Sequence, residues 1–512
     1  MSDRLTSAGC GVEVCLTSES GKEEASVPHC PHGPTLLFER YIRGAPSGEK
    51  FYACSACRDR KECSFYLKYG EKMSEARQEA WADISRASQP RFNHKQFCKR
   101  LSEFEALPTC KRRFCEDCSL LLLPDEWGEH QQHRVLQTVT SHQLTRPTHL
   151  LHPRENKKTN AQYLFSERTV QFFLSQVQQL GYNRVLCVGV PRLHETIQSQ
   201  RAAGSSQLDS LLLDIDHRHA QFYDQEHFCH YNMFNYHFFD GDSARDACVQ
   251  FLHRNHGDGV VMVTDPPFGG LVEVLCHCMK KLYGLWREGL TDTCSETEIP
   301  TLWIFPYFME HRIVDSLPSY RMLDYKVEYE NHPLYQEGPK SKKRGSPVRI
   351  FTNIPTDRVV LPQDKGYRFC ALCRRYVAAE NRHCQKCNCC TSKDGRTYVH
   401  CDLCKKCVKP AWSHCEPCGR CEPRDHVCSQ RTHLAGCYIC GDHGHKRREC
   451  PQRFSQERYT RTERMSGKRK RKMEGNNDAA VPDQKRTLQQ ERSSKKQKVK
   501  RKWKQSKRRQ KL

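Results

Sequence analysis

Between residues 160 and 358 short apolar runs alternate with stretches whose apolar positions recur at helical spacing. Five runs read as buried strands: RVLCVGV (184–190), LLLDID (211–216), NMFNYHFFDGD (232–242), GVVMVTDPPFGG (259–270) and TLWIFPYFME (301–310). HETIQSQ after the first and LVEVLCHCMKKLYGLW after the fourth read as helices, so the order is β-α-β and predicts an α/β domain with a mainly parallel sheet. YKVEYENH (325–332) and VRIFTNIP (348–355) read as a closing hairpin around the solvated loop GPKSKKRGSP. The predicted strands end in a glycine (Gly189), in acids (Asp214 and Asp216, then Asp240 and Asp242) and in Asp265-Pro266-Pro267-Phe268. Open α/β sheets bind ligands at the carboxyl ends of their strands.

Outside this domain the pattern changes. The 512-residue chain holds 32 Cys and 26 His, most of the cysteines in dense clusters flanking the α/β region. Cys-x2-Cys pairs close to His point to zinc rather than disulfides in a reducing compartment. Residues 1–28 are polar and predicted disordered; 29–70 and 71–145 each carry a Cys/His cluster; 366–430 and 435–452 carry the rest; 453–512 are basic with little to bury, and are predicted disordered when free. The net charge of +23 favours polyanionic partners. No apolar run reaches the ~18 residues of a membrane span, and the N-terminus lacks a secretory core, so a soluble intracellular monomer is expected.

Asp265-Pro266-Pro267-Phe268 is the sharpest chemical signal. A ring-conjugated amine is a poor nucleophile because its lone pair is delocalised. A carboxylate (Asp265) and a carbonyl (Pro266) that each accept one N–H would orient it, the two prolines would stiffen the loop, and Phe268 would stack on a flipped base. A plain turn after a buried strand is the competing reading. The tetrapeptide resembles the [Asp/Asn/Ser]-Pro-Pro-[Tyr/Phe/Trp] motif of amine methyltransferases. With the zinc modules on both sides, nearly the whole chain resembles the zinc-finger adenine-N6 methyltransferases of large-subunit ribosomal RNA. That resemblance implies a Rossmann-like class I methyltransferase domain using S-adenosylmethionine, flanked by small zinc-stabilised modules and a basic tail. It implies cofactor contacts from Gln171, Phe172, Phe173 and Leu174 in LFSERTVQFFLSQ. Gly189 offers close backbone approach, and Asp214, Asp216 and Asp240 are candidates at the strand ends, either of the first two for the ribose hydroxyls.

Four groups of metal ligands are expected. Cys30, His32, Cys54 and Cys63 resemble a GRF-type finger, with Gly48-Glu49-Lys50-Phe51-Tyr52 where that motif has Gly-Arg-x-Phe-Tyr, and with Cys57 as a competing ligand. Cys115, Cys118, His130 and His133 approach the C2H2 pattern and are read as a brace against the catalytic domain. A repeat follows: His383-Cys384-x2-Cys387-x2-Cys390, His400-Cys401-x2-Cys404-x2-Cys407 and His414-Cys415-x2-Cys418-x2-Cys421, preceded by Cys370-x2-Cys373 and followed by Cys428. It predicts a fold held by about two or three zinc ions, with the pairing of ligands open. Cys437, Cys440, His445 and Cys450 match the CCHC knuckle, with Tyr438 placed to stack on an unpaired base and Lys446, Arg447 and Arg448 on phosphate.

The expected partners are RNA, most simply a ribosomal stem-loop, and proteins of RNA processing or ribosome biogenesis. The tail suggests nuclear or nucleolar residence, with the cytoplasm a further location. A protein lysine methyltransferase using the same tetrapeptide and a non-catalytic RNA-binding scaffold are the alternatives.

Overall fold

The computed structural model describes residues 10–15, 27–42, 45–56, 62–154, 162–290, 297–332 and 346–428. Cys57, the knuckle and the basic tail lie outside the described residues. Among the described residues no helix is long and apolar enough to cross a membrane.

The central sheet has eight strands: β1 (Arg184–Val188), β2 (Asp209–Asp214), β3 (Phe228–Asn232), β4 (His237–Phe238), β5 (Val260–Thr264), β6 (Thr301–Pro306), β7 (Arg321–Leu323) and β8 (Val348–Thr352). Their spatial order is β4-β3-β2-β1-β5-β6-β8-β7. β1, β2, β3, β5 and β6 run parallel, while β4, β7 and β8 join antiparallel. β1, β2, β5 and β6 are buried along their whole length, as strands covered on both faces must be. The strand order reverses between β1 and β5, which opens a crevice at their carboxyl ends.

The pleat sends alternate side chains to two cores. Leu186, Val188, Leu211, Leu213 and Met262 face α3 (Asp242–His253) and α4 (Val272–Arg287); Val185, Cys187, Leu212, Val261 and Val263 face α1 (Glu167–Gln179) and α2 (Pro191–Ala202). The cysteine-rich modules continue these cores. Cys30, Cys54, Cys63 and Phe65 join the first, and Cys115, Leu120, Leu122, Tyr367 and Ala378 join the second.

Two expectations need correction. The third strand stops at Asn232, and residues 233–236 reverse the chain, with Tyr236 at φ 60°, so that β4 folds back on β3. Opposite β6, the strand that pairs with β8 is Arg321–Leu323, ahead of YKVEYENH, whose Val327 N adds a single hydrogen bond to the Val348 carbonyl at 3.3 Å. Tyr325, Val327 and Tyr329 alternate inward as strand residues do, but they dock on the start of α1, where Tyr329 bridges Phe165 and the Glu328 carbonyl accepts from Ser166 N at 3.0 Å.

Asp324 leaves the sheet at this point to hold the C-terminal cysteine array. Its Oδ2 accepts from Ala378 N (2.9 Å) and Asn381 Nδ2 (2.8 Å), while Arg375 donates to the Met322 carbonyl (2.8 Å) and Lys326 N to the Tyr367 hydroxyl (3.0 Å). Asp324 is 2% exposed. Asp324→Ala is expected to destabilise the chain by roughly 2–4 kcal/mol, because it strands two buried donors and the nearby Arg375. Denaturant unfolding with a loss below ~0.5 kcal/mol would contradict this role.

Candidate active site and metal clusters

Gly189 ends β1 with φ +70°, and its N–H donates to the Leu213 carbonyl at 2.9 Å. A Cβ here would lie 2.8 Å from Met233 Cε and 3.4 Å from the Asp265 carbonyl oxygen, so the position tolerates only glycine. Asp265 N donates to the Val188 carbonyl at 3.2 Å, which ties the loop after β5 directly to β1.

The acids after β2 have different surroundings. Burial would raise the pKa of Asp216, but the Arg218 fork, with His219 and Arg154, holds its carboxylate far below the usual range. Arg218 reaches it at 2.9 and 2.6 Å and Gln162 Nε2 at 2.8 Å. Asp214 accepts from Asp216 N at 2.9 Å. Burial, then the neighbouring Asp216 charge, pushes its pKa up to about 7.

Asp265 opens the loop after β5. Burial of its carboxyl group raises the pKa well above the usual carboxylate range, and the Tyr329 hydroxyl, donating to Oδ1 at 3.1 Å, pulls in the opposite direction. Pro267 O accepts from Gly270 N at 2.7 Å, which closes the turn. Phe268 lies in an aromatic wall, with its centroid 6.0 Å from Tyr163 in a stacked arrangement and 6.1 Å from Tyr329 edge-on. His332 packs on Tyr163 at 4.3 Å. A fixed carboxylate beside aromatic faces, next to a glycine floor, can orient an amine on a planar ring.

Among the described residues six groups of Cys and His bring their ligand atoms together. A tetrahedral zinc ion, with Zn–S ≈ 2.3 Å and Zn–N ≈ 2.0–2.1 Å, would hold S and N about 3.5 Å apart. Cys54 Sγ lies 3.5 Å from His32 Nδ1 in the first cluster, and Cys115 and Cys118 lie 3.5 and 3.3 Å from His133 in the second. The donors therefore fit the metal. In the array the sets are Cys370, Cys373, His383, Cys390; Cys384, Cys387, His400, Cys407; and Cys401, Cys404, His414, Cys421. Cys415, Cys418, Cys428 and His426 make a fourth, with Sγ–Sγ and Sγ–Nε2 spacings of 3.3–3.6 Å. Each His-Cys dipeptide thus serves two neighbouring clusters. His383-Cys384, His400-Cys401 and His414-Cys415 lie in short strands, where consecutive side chains point to opposite faces.

The probable N6-adenine methyltransferase family matches residues 156–353. Over 469 residues the chain is 52% identical to the human rRNA N(6)-adenosine-methyltransferase ZCCHC4, covering 91% of this chain and 90% of the relative. The protein of that name from Mus musculus is 52% identical over 441 residues (86% and 85% covered), and that from Xenopus tropicalis 50% identical over 442 (86% and 89%). The chain belongs to this family of N6-adenosine methyltransferases.

Within the family's frame, several sequence-based assignments move. Gln171 is exposed and donates to Glu167 at 2.8 Å, because it falls on the outer face of α1. Phe172 stacks on Tyr325 at 3.7 Å, Phe173 packs on Phe165 and Leu174 is buried, so these side chains are part of the core. Asp240 follows the β4 reversal instead of ending β3, and burial raises its pKa. The array has four ligand sets rather than two or three, and His426 completes the last. Tyr163, Tyr329, His332 and Met233 are neighbours of the site that the sequence pattern does not mark, since the alternation in YKVEYENH reads equally well as a plain strand, whereas Arg218 falls in LDIDHRHAQFY, which resembles the family's acid-x-Arg stretch. The His426 ring has a visible logic, since Nδ1 lies 2.8 Å from the Pro423 carbonyl, an N–H donation that points Nε2 at the cysteines. Elemental analysis of pure protein should find at least six zinc ions per chain, and His426→Ala should lower the count by one with the other sets intact. An unchanged count would remove His426 from the ligands.

Proposed function

We propose that this chain transfers a methyl group from S-adenosylmethionine to the N6 amine of an adenine in ribosomal RNA, in the large subunit as the resemblance implies. The observation that carries this reading is the Asp265 carboxyl group, held by Tyr329 at the carboxyl end of β5 beside Gly189 and faced by Phe268. The similarity to rRNA N(6)-adenosine-methyltransferases over most of the chain supports the substrate class.

S-adenosylmethionine, when bound, supplies a methyl group made electrophilic by its sulfonium. The chain's own residues supply position. Tyr329 occupies Oδ1 of Asp265, leaving Oδ2 to accept one N6–H while the Pro266 carbonyl accepts the other. Phe268 and Tyr163 stack on the flipped base. Asp214 accepts the ribose hydroxyls, since Asp216 is already engaged by Arg218 and Gln162. The metal clusters hold zinc. Tyr438, Lys446, Arg447, Arg448 and the basic segment beyond them capture RNA by its bases and phosphates, and that segment also serves as a nuclear or nucleolar address.

Labelled methyl should appear in ribosomal RNA as N6-methyladenosine, and Asp265→Ala should lower kcat by about 10²–10³, as loss of a transition-state hydrogen bond does. Label in protein instead would favour the lysine reading. Asp265→Asn, which keeps one carbonyl acceptor and is allowed by the motif, should lose less activity than Asp265→Ala and melt about 2–4 °C higher at neutral pH. With the folded pKa raised, the acid costs stability progressively as pH rises above its unfolded value towards the folded one, and the uncharged amide removes that cost. A lower melting temperature for the amide would contradict the burial cost.

Asp214 gives a pH signature. Its ionised form is the better acceptor for two hydroxyls, so cofactor affinity should rise as pH passes upward through about 7. Between pH 6 and 8 the gain should approach ~10-fold, following the ionised fraction. Calorimetric titration should find this dependence flattened in Asp214→Asn; a wild-type slope in that variant would exclude the assignment.

A further inference from the structure

The turn that ends β3 touches two systems at once. On one side Asn232, fully buried, donates from Nδ2 to the carbonyl of His32 (2.8 Å) and to Ser55 Oγ (3.1 Å), and its Oδ1 accepts from Phe234 N at 3.0 Å. Asn235 donates to the same His32 carbonyl at 2.9 Å and to that of Pro34 at 2.8 Å. His32 is itself a member of the first metal cluster. Two amides from one turn therefore grip the backbone of one ligand residue. The segments are pressed together here, since a Cβ on Gly33 would sit 2.5 Å from the His237 ring.

On its other side the same turn presents apolar atoms to the catalytic crevice. Met233 Cε lies 2.8 Å from the place a Gly189 Cβ would take, and Phe234 Cε1 lies 3.1 Å from that of Gly270, five residues after Asp265. The position of Met233 and Phe234 is thus set by Asn232 and Asn235, and theirs by the backbone around His32. We propose that Asn232 is a positioning residue that couples cofactor affinity to the integrity of the first metal cluster. A cluster that has lost its ion no longer fixes the His32 carbonyl, and Met233 no longer has a fixed place over Gly189. This rests on the sequence-derived reading that Gly189 offers the cofactor a close backbone approach.

The test uses the full chain and S-adenosylmethionine itself as the probe. Asn232→Asp is nearly isosteric and still accepts from Phe234 N, but it cannot donate to His32. It and Asn232→Ala should weaken cofactor binding about 10-fold by calorimetry, the scale on which outer-shell partners act. Zinc content should stay at the wild-type value, and kcat at saturating cofactor should hold within about 3-fold, so that the loss falls on KM. A general loss of structure would instead lower kcat and zinc content together and overturn the coupling. Should Asn232→Ala fail to fold, half-buried Asn235→Ala carries the same expectation through the same carbonyl. Gly189→Val separates the two readings. If it binds cofactor normally, the pocket assignment falls and the coupling with it. If it loses binding while both Asn232 variants bind within about 2-fold of wild type, the coupling alone is overturned.

Discussion

The approach of β5 to β1 at their carboxyl ends is the contact on which the catalytic face depends. Asp265 N continues the parallel ladder of β5 on β1 by donating to the Val188 carbonyl, and the missing side chain at Gly189 lets Met233 settle over the first loop. A methyl group at Gly189 would push the Met233 methyl aside and carry the strain of the positive φ. The loops after β1 and β5 thus meet at a residue whose φ is +70°. Glycine is the only residue that adopts this angle without cost while leaving room above it.

The metal modules extend the two cores rather than standing apart from them. A segment such as 366–428 has few apolar side chains of its own, with Val377, Cys370 and Cys390 its small centre. It gains a fixed place by lending Tyr367 and Ala378 to the core behind β1 and by the Asp324 hydrogen bonds. The second cluster is bound to the acid network, since Gln221 exchanges hydrogen bonds with Leu121 and Ser119 while Arg218, which holds Asp216, also reaches Ser119. Ligand sets that close a loop around an ion do the work of a hydrophobic core, and their placement then becomes a property of the catalytic domain.

The strands buried on both faces were legible in the sequence because a continuous apolar run ending in Gly or Asp has few other readings. Asp265–Phe268 was legible for the same reason, as were the Cys-x2-Cys pairs. The turn after β3 was not: NMFNYHFF is apolar enough to continue as strand, and only Asn232 and Asn235, which satisfy their amides on a segment about 200 positions away, make the chain reverse. The array's ligand sets were hidden by the repeat itself. Grouping each His with its adjacent Cys follows the sequence, whereas strand geometry sends them to opposite faces, so the true set takes its His from the next repeat. His426 escaped notice because it sits outside the His-Cys register.

The pair Asp214 and Asp216 shows how environment separates two acids that the sequence leaves equivalent. Both lie at the end of β2, and both are buried. Asp216 is surrounded by Arg218, Arg154 and Gln162 and caps the short helix after it through Arg218 N, so its oxygens are committed to the protein. That commitment is structural, because it fixes the segment on which the second metal cluster rests. Asp214 bears the consequence: a fixed negative charge two residues away raises its pKa further than burial alone, so its charge depends on pH near neutrality. A cofactor whose ribose donates two hydrogen bonds favours the ionised form. Binding would then draw a proton off Asp214 near neutrality, linking cofactor affinity to pH through a residue that takes no part in the methyl transfer itself.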